Sequence, residues 1–143
     1  MSKLPSLQEP EFAYNSPTEL QLISLMELVR KGLKYTNFLT ITKNSPFKIS
    51  DWSGFLHISE RTMQRYEKEN KVFDTVHSEK IIQITILYEF GTQVYGTKDK
   101  FNSWLETPNL ALGKIKPKEL LDNAFGMELL KEELIRIEHG VLA

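Results

Sequence analysis

Cysteine is absent from the 143 residues of this chain. That absence excludes disulfide bonds, thiolate nucleophiles and cysteine-ligated zinc, and it is typical of proteins in a reducing compartment. No apolar run approaches the roughly 20 residues that a membrane-spanning helix needs. The chain begins MSKLPSLQEPEF, which lacks the apolar core of a signal peptide. We therefore expect a cytoplasmic protein with no membrane contact.

Signals of catalysis and metal binding are also scarce. None of the three histidines has a His or Cys three or four residues away, and the common phosphate-loop, serine-elbow and HExxH sequences are missing. Glu132 and Glu133 are adjacent on what we expect to be an exposed helix, so they point in different directions and make a poor catalytic pair. We expect no enzyme activity, no catalytic residue, no bound metal and no cofactor.

The net charge is close to neutral, at −1, which argues against nucleic-acid binding through bulk charge. Positive residues are nevertheless concentrated locally. Residues 28–50 hold five cations and no acid, and residues 58–71 hold four cations diluted by three acids. Any DNA-binding surface would therefore be local and would need site-specific contacts or dimerisation.

Helical periodicity and helix-boundary residues predict an all-α chain, because no segment alternates polar and apolar residues as a strand does. Residues 1–15 contain two prolines and predict a mobile arm. The expected N-caps are Ser16, Thr36, Ser50, Ser59, Ser78 and Thr97. The predicted helices span about 17–31, 36–42, 50–56, 59–70, 78–95, 97–105, 117–126 and 127–139.

The segment 50–70 has the spacing of a helix-turn-helix, with a turn at 57–59 between a short and a longer helix. Hydroxyl, amide and guanidinium side chains on the outward side of the second helix suit contacts with phosphates and base edges. The candidate DNA contacts are Ser59, Arg61, Thr62, Gln64, Arg65 and Lys68. The alternative is an ordinary solvated helix face.

The segment 78–95 is apolar on more than one face. It is either a core helix buried on two sides, or a helix with one face in the core and one in a homodimer. The candidate dimer residues are Ile82, Ile86 and Phe90.

The C-terminal third carries an ordered set of aromatic, proline and glycine residues: FNSWLETPNLALG at 101–113, PKELLDNAFG at 117–126 and RIEHGVLA at 136–143. This set resembles the C-terminal toxin-binding domain of Xre/MbcA/ParS-type antitoxins, the partners of RES-domain toxins. The stretch FLHISERTMQRYEK also resembles the Xre-like helix-turn-helix of these antitoxins. One departure is Lys114-Ile115-Lys116, where the family often has small residues and glycine.

Most of the motif residues have structural explanations. We expect Gly113 and Gly140 to take left-handed backbone conformations, and Asn109 to close a turn on its own backbone. The residues expected in the core are Phe101, Trp104, Leu120, Leu121, Leu130 and Ile137.

The resemblance implies an N-terminal Xre-like helix-turn-helix bundle packed with a small C-terminal helical domain. The implied segments are an arm at 1–15, a DNA-binding domain at 16–77 and a dimerising, toxin-binding domain at 78–143. The implied function is that of a type II antitoxin, which occludes the active site of an NAD-degrading RES toxin. Repression of its own operon through operator DNA is a further expectation.

By the same resemblance, the inhibitory element is the last helix and tail, where a frayed terminus is the alternative. The implied toxin-binding residues are Arg136, Glu138, His139, Gly140, Val141, Leu142 and Ala143. Two other functions stay open: a stand-alone dimeric helix-turn-helix regulator, and a purely structural helical adaptor.

Overall fold

Helices account for the secondary structure of residues 19–140, the part of the chain that a computed structural model describes. The α-helices are α1 (Glu19–Lys31), α2 (Tyr35–Lys43), α3 (Ile49–Leu56), α4 (Glu60–Glu69), α5 (Thr75–Tyr95), α6 (Lys98–Leu105) and α7 (Ala124–Glu138). Two short 3-10 helices span Leu110–Leu112 and Pro117–Asp122. Within this range the chain forms isolated β-bridges but no strand, and the all-α prediction is confirmed.

The chain divides into two compact units, and the division falls inside α5, between Ile86 and Leu87. The first unit contains α1 to α4 and the start of α5, and the second contains the end of α5 and all later helices. The predicted arm at 1–15 and the Ser16 cap lie outside the described residues. The sequence-based division at residues 77 and 78 stays a prediction.

An aromatic cluster forms the centre of the first unit. The ring of Phe38 lies 5.2 Å from Trp52 and 5.3 Å from Phe73 between centroids, in the edge-to-face geometry that aromatic pairs favour. All three side chains are almost completely buried. The indole N–H of Trp52 donates to the Thr42 hydroxyl at 2.8 Å, so its polar atom is satisfied. The cluster therefore holds α2, α3 and the segment before α5 around one centre.

The predicted N-caps Thr36 and Ser50 are wrong, because both helices begin earlier. Thr36 lies in the first turn of α2, and its N–H donates to the side-chain oxygen of Asn70 at 3.2 Å, across 34 residues of sequence. Ser50 lies inside α3, where the Asp51 carboxylate accepts the Lys48 N–H at 2.9 Å. The polar groups that satisfy these helix starts therefore come from other positions.

The predicted N-cap Ser78 is also wrong, because α5 begins about one turn earlier. The Asp74 carboxylate accepts a first-turn N–H of α5 at 2.8 Å. Ser78 is completely buried. Its hydroxyl accepts the Leu33 N–H at 3.0 Å and donates to the Phe73 carbonyl at 3.2 Å. This serine joins two distant backbone segments of the first unit.

Close packing in the second unit depends on Gly91. This residue is buried in α5, and a Cβ at its position would overlap the ring of Phe101. α5 continues through Gly91 to Tyr95, as the predicted helix at 78–95 does. Gly96 follows its last residue, with φ at 88°.

A second close approach lies at the start of α7. The Asn123 side-chain oxygen accepts the Gly126 N–H at 2.8 Å, so α7 begins at Ala124 rather than near residue 127. A Cβ on Gly126 would overlap the Leu120 carbonyl in the preceding 3-10 helix. The helix predicted at 117–126 therefore ends earlier than expected, and Gly126 lies in the first turn of α7, where it lets the two helices pack closely.

The core and turn predictions for the second unit hold in most positions. Phe101, Leu121 and Leu130 are at most 2% exposed, whereas Trp104, Leu120 and Ile137 are half-buried. The Asn109 side chain accepts the Ala111 N–H at 2.8 Å, as the predicted turn requires. Gly113 and Gly140 have φ at 87° and 68°, in the left-handed region as predicted.

Candidate functional site

The turn between α3 and α4 is built from local interactions. His57 has φ at 58° and ends α3 in a left-handed conformation, and the next residue, Ile58, is buried. The Ser59 hydroxyl accepts the Thr62 N–H at 3.1 Å and so caps α4. The two helices contact each other. Their boundaries agree with the helix-turn-helix spacing read from the sequence.

A shallow concave surface lies along α4, and it encloses a volume of about 330 Å³. Its lining is made only of polar and positively charged residues: Arg61, Thr62, Gln64, Arg65 and Lys68. Thr62 is half-buried, and the other four are exposed. The guanidinium carbon of Arg65 lies 5.8 Å from the centroid of the Tyr66 ring, within the range of a cation–π contact. This surface can bind an anion such as a phosphate backbone.

Ser59 is the one candidate DNA contact that does not line this surface. Its hydroxyl accepts the cap hydrogen bond and also donates to the Thr62 hydroxyl at 2.9 Å. Its role in the structure is therefore to fix the start of α4, next to the concave surface. The acids that dilute the positive charge of α4 do not line the surface either.

The candidate toxin-binding residues fall at the end of α7 and beyond it. Glu138, His139 and Gly140 are exposed. Arg136 is also exposed, but its guanidinium lies 2.7 Å from the carboxylate of Glu133, which is 2% exposed. The expectation that Glu133 lies on an exposed helix surface is wrong, because it faces the core side of α7. Val141, Leu142 and Ala143 lie outside the described residues.

An exposed stripe on α7 was missed in the sequence. Phe125, Leu129, Glu132 and Arg136 follow one another at spacings of four, three and four residues, so they share one side of the helix. Phe125 is 87% exposed and Leu129 is 49% exposed. Met127, Leu130 and Leu134 are buried on the other side of α7. Their helical spacing in the sequence was the signal that could have predicted the opposite, exposed side.

The candidate dimer residues are largely used inside the chain. Ile82 is 3% exposed and Phe90 is 6% exposed, whereas Ile86 is half-buried. Little of their surface is left for a partner. Of the two roles that the sequence left open for this helix, the burial favours the core role.

Electrostatic interactions in the second unit are structural in character. Hydrogen bonds from Lys118 and Lys116, with their positive charge, lower the pKa of Glu106 despite its partial burial. The Lys118 ammonium lies 2.6 Å from the Glu106 carboxylate, which ties the end of α6 to the second 3-10 helix. Burial and the negative charge of Glu133 raise the pKa of Tyr95 to about 12.

No group of three or more His, Asp or Glu side chains within residues 19–140 is arranged to hold a metal ion. Over the same range, no helix combines the length and apolar character needed to cross a bilayer.

The second unit corresponds to a known protein family. Residues 91–140 match the family described as the antitoxin Xre/MbcA/ParS C-terminal toxin-binding domain. The match contains α6, both 3-10 helices and α7, with the exposed stripe of α7. The second unit therefore contains a domain similar to the toxin-binding domain of Xre/MbcA/ParS-type antitoxins.

Two relatives extend the similarity of this chain beyond the matched segment. The chain is 27% identical to a protein named Antitoxin Xre from Photorhabdus laumondii subsp. laumondii in an alignment of 105 positions, and the alignment spans 67% of the chain and 71% of the relative. It is 23% identical to a protein named Prs ADP-ribosylating antitoxin from a Sphingobium species in an alignment of 143 positions, and this alignment spans 94% of the chain and 90% of the relative. The toxin-binding domain implies a toxin partner for this chain.

Proposed function

We propose that this chain is an antitoxin, that it binds a RES-type, NAD-degrading toxin and covers its active site, and that it represses its own operon by binding operator DNA. The observation that carries the toxin half of the proposal is the exposed stripe of α7 inside the toxin-binding domain. Phe125 and Leu129 are neighbours on this stripe and are 87% and 49% exposed, and contiguous exposed apolar residues often mark interaction sites.

The stripe has the composition of a protein interface. Phe125 and Leu129 offer an apolar centre, and Arg136 adds a cation that is already oriented by Glu133. Aromatic and arginine side chains dominate the binding energy of many interfaces. Residues 141–143 follow this helix in the sequence, and we propose that they enter the toxin's cleft.

An NAD-consuming toxin is consistent with the name of one relative. The Sphingobium protein is named for ADP-ribosylation, and ADP-ribosyl transfer takes its ADP-ribose from NAD. Breakdown of NAD and transfer of ADP-ribose to a protein are therefore two outcomes to separate by experiment.

The experiment that tests the toxin half expresses the neighbouring reading frame in cells, together with the intact chain or a form lacking 141–143. We expect NAD to fall without the antitoxin, to be preserved by the intact form, and to fall again with the truncated form. Protein-bound ADP-ribose is measured in the same cells. NAD that never falls, with no ADP-ribose transferred, would contradict a toxin of this class.

A matched pair of substitutions tests the exposed stripe itself. Val76 is an apolar residue of the first unit that is 72% exposed, comparable with Phe125 at 87%. We expect Phe125→Ala to weaken the protection of NAD and Val76→Ala to protect NAD as the intact chain does. If the truncated form also protects fully, the inhibitory element is not the tail.

The DNA-binding half of the proposal rests on the concave surface of α4, whose five lining residues carry no negative charge. Guanidinium and amide groups can read guanine and adenine edges in the major groove. The same surface favours the second candidate function, a stand-alone regulator. A chain that binds its operator but has no effect on the neighbouring gene product would support that second function.

A further inference from the structure

The outward side of α1 carries an apolar face that the rest of the described chain does not cover. None of the thirteen residues of α1 is buried. Its exposed apolar side chains are Leu20 at 78%, Leu22 at 48%, Ile23 at 46% and Met26 at 49%. Scattered exposed leucines need no explanation, but four such residues on one short helix form a patch.

The charged and apolar residues on this face have the same spacing whether α1 is followed from its N-terminus or from its C-terminus. Glu19, Ile23, Met26 and Arg30 are spaced by four, three and four residues, so they form one stripe along α1. The acid lies at one end, the base lies at the other, and the two apolar side chains lie between them. Read backwards, the spacing is identical and the charges are exchanged.

We propose that α1 pairs with α1 of a second copy of this chain, antiparallel and around a two-fold axis between Ser24 and Leu25. In this register Ile23 of one copy faces Met26 of the other, and Glu19 faces Arg30 at both ends. A two-fold contact requires a self-complementary surface, and this stripe is complementary in both shape and charge. Each Glu19–Arg30 pair also joins an acid at a helix N-terminus to a base near a C-terminus, where the helix dipoles favour them.

The symmetry of this stripe indicates that its partner is a second copy of the chain. A partner protein of unrelated sequence, or residues 1–18 of the same chain, would have no reason to match a stripe with its acid and base at mirror positions. We expect a pair of thirteen-residue helices to form a small contact compared with the roughly 1,200–2,000 Å² of a standard interface. We therefore expect a weak dimer, which forms as the protein concentration rises. The proposal does not depend on the identity of the toxin.

The test is the oligomeric state of the full chain in sedimentation velocity runs over a series of concentrations. We expect Ile23→Glu to raise the dissociation constant of the dimer by about tenfold or more, because it places a carboxylate in the apolar centre. The matched control is Val76→Glu, the same kind of change at an exposed apolar residue of the same unit, and we expect it to leave the dimer unchanged. Circular dichroism checks that each variant is folded.

A charge exchange tests the register. We expect Glu19→Arg and Arg30→Glu each to weaken the dimer, since each brings like charges together, and the double variant to restore it. A chain that is monomeric at every concentration would overturn the proposal. A dimer whose dissociation constant does not change with Ile23→Glu would overturn it as well. If the double variant is weaker than either single one, the antiparallel register is wrong. A dimer broken by Ile86→Glu but not by Ile23→Glu would place the contact on α5 instead.

Discussion

The carboxylate of Glu133 accepts a hydrogen bond from the guanidinium of Arg136 at 2.7 Å, one turn later on α7. The two side chains differ sharply in burial, since that of Glu133 is 2% exposed and that of Arg136 is 46% exposed. The pair therefore joins the core side of α7 to its exposed stripe. Arg136 is both a candidate toxin contact and the partner of a buried charge.

The pair makes a first prediction about stability. Arg136→Ala leaves the Glu133 carboxylate buried without its partner, and we expect a loss of about 1–3 kcal/mol in the free energy of unfolding. The double variant Glu133→Leu with Arg136→Met removes both charges and should recover most of that loss. Urea unfolding of the two variants measures the difference. A double variant as unstable as the single one would show that the buried charge is not the cause.

The same variants separate folding from toxin binding. If Arg136 contacts the toxin, the double variant stays folded and still binds the toxin more weakly than the intact chain. If binding returns together with stability, Arg136 acts only through Glu133.

A second prediction concerns Gly91 and the ring of Phe101. Because a Cβ at Gly91 would overlap this buried ring, Gly91→Ala must displace Phe101 or the helix, at a cost of about 1–3 kcal/mol. Gly54 is the matched control: it lies in α3, and a Cβ there would meet nothing within 4 Å. Gly54→Ala should be neutral or stabilising by up to about 1 kcal/mol, because alanine favours helices. Equal effects of the two substitutions in thermal unfolding would refute this account of Gly91.

Local features of the fold were predictable from the sequence. The Ser59 cap, the turn at 57–59 and the Asn109 turn each depend on residues within a few positions of one another, so their signals are contained in short segments. The motif of residues 101–126 indicated the domain for the same reason. The order of its residue types can be read from the sequence alone.

Long-range features were not predictable. Asn70 satisfies a helix start 34 residues away, and Ser78 holds the Leu33 N–H across 45 residues. The sequence predicted Thr36 and Ser78 themselves as helix caps, and tertiary packing overrode both predictions. The burial of Glu133 was missed because adjacent glutamates are normally solvated, and only the packing of α7 shows which of them faces inward.

A third prediction concerns alkaline pH. Burial, followed by the negative charge of Glu133, raises the pKa of Tyr95 from 10.0 to about 12. A raised pKa means that the unfolded chain loses this proton first, so the stabilisation is complete below the ordinary pKa and disappears as the pH rises from about 10 to about 12. Unfolding measured at several pH values should show this decline. Tyr95→Phe keeps the ring contacts and should reduce the slope; an unchanged slope would mean that other groups cause the decline.

The last prediction tests the surface of α4 as a DNA reader. We expect Arg65→Ala to weaken operator binding by about 1–3 kcal/mol and to relax the preference for one base pair, if its guanidinium reads a guanine. Lys68→Ala should weaken binding equally for all sequences and reduce its salt dependence, because a phosphate contact carries no base information. Fluorescence anisotropy with operator and scrambled duplexes measures both effects.

Lys100→Ala is the control for this experiment, because it removes one exposed cation from the second unit and changes the net charge by the same amount. If all three variants weaken binding alike, the chain binds DNA through overall charge, and α4 does not read the sequence. If Arg65→Ala alone changes the ranking of duplexes, its side chain lies against a base edge. That result would also place the surface lined by Arg61 and Lys68 toward the DNA, since both lie on the same surface as Arg65.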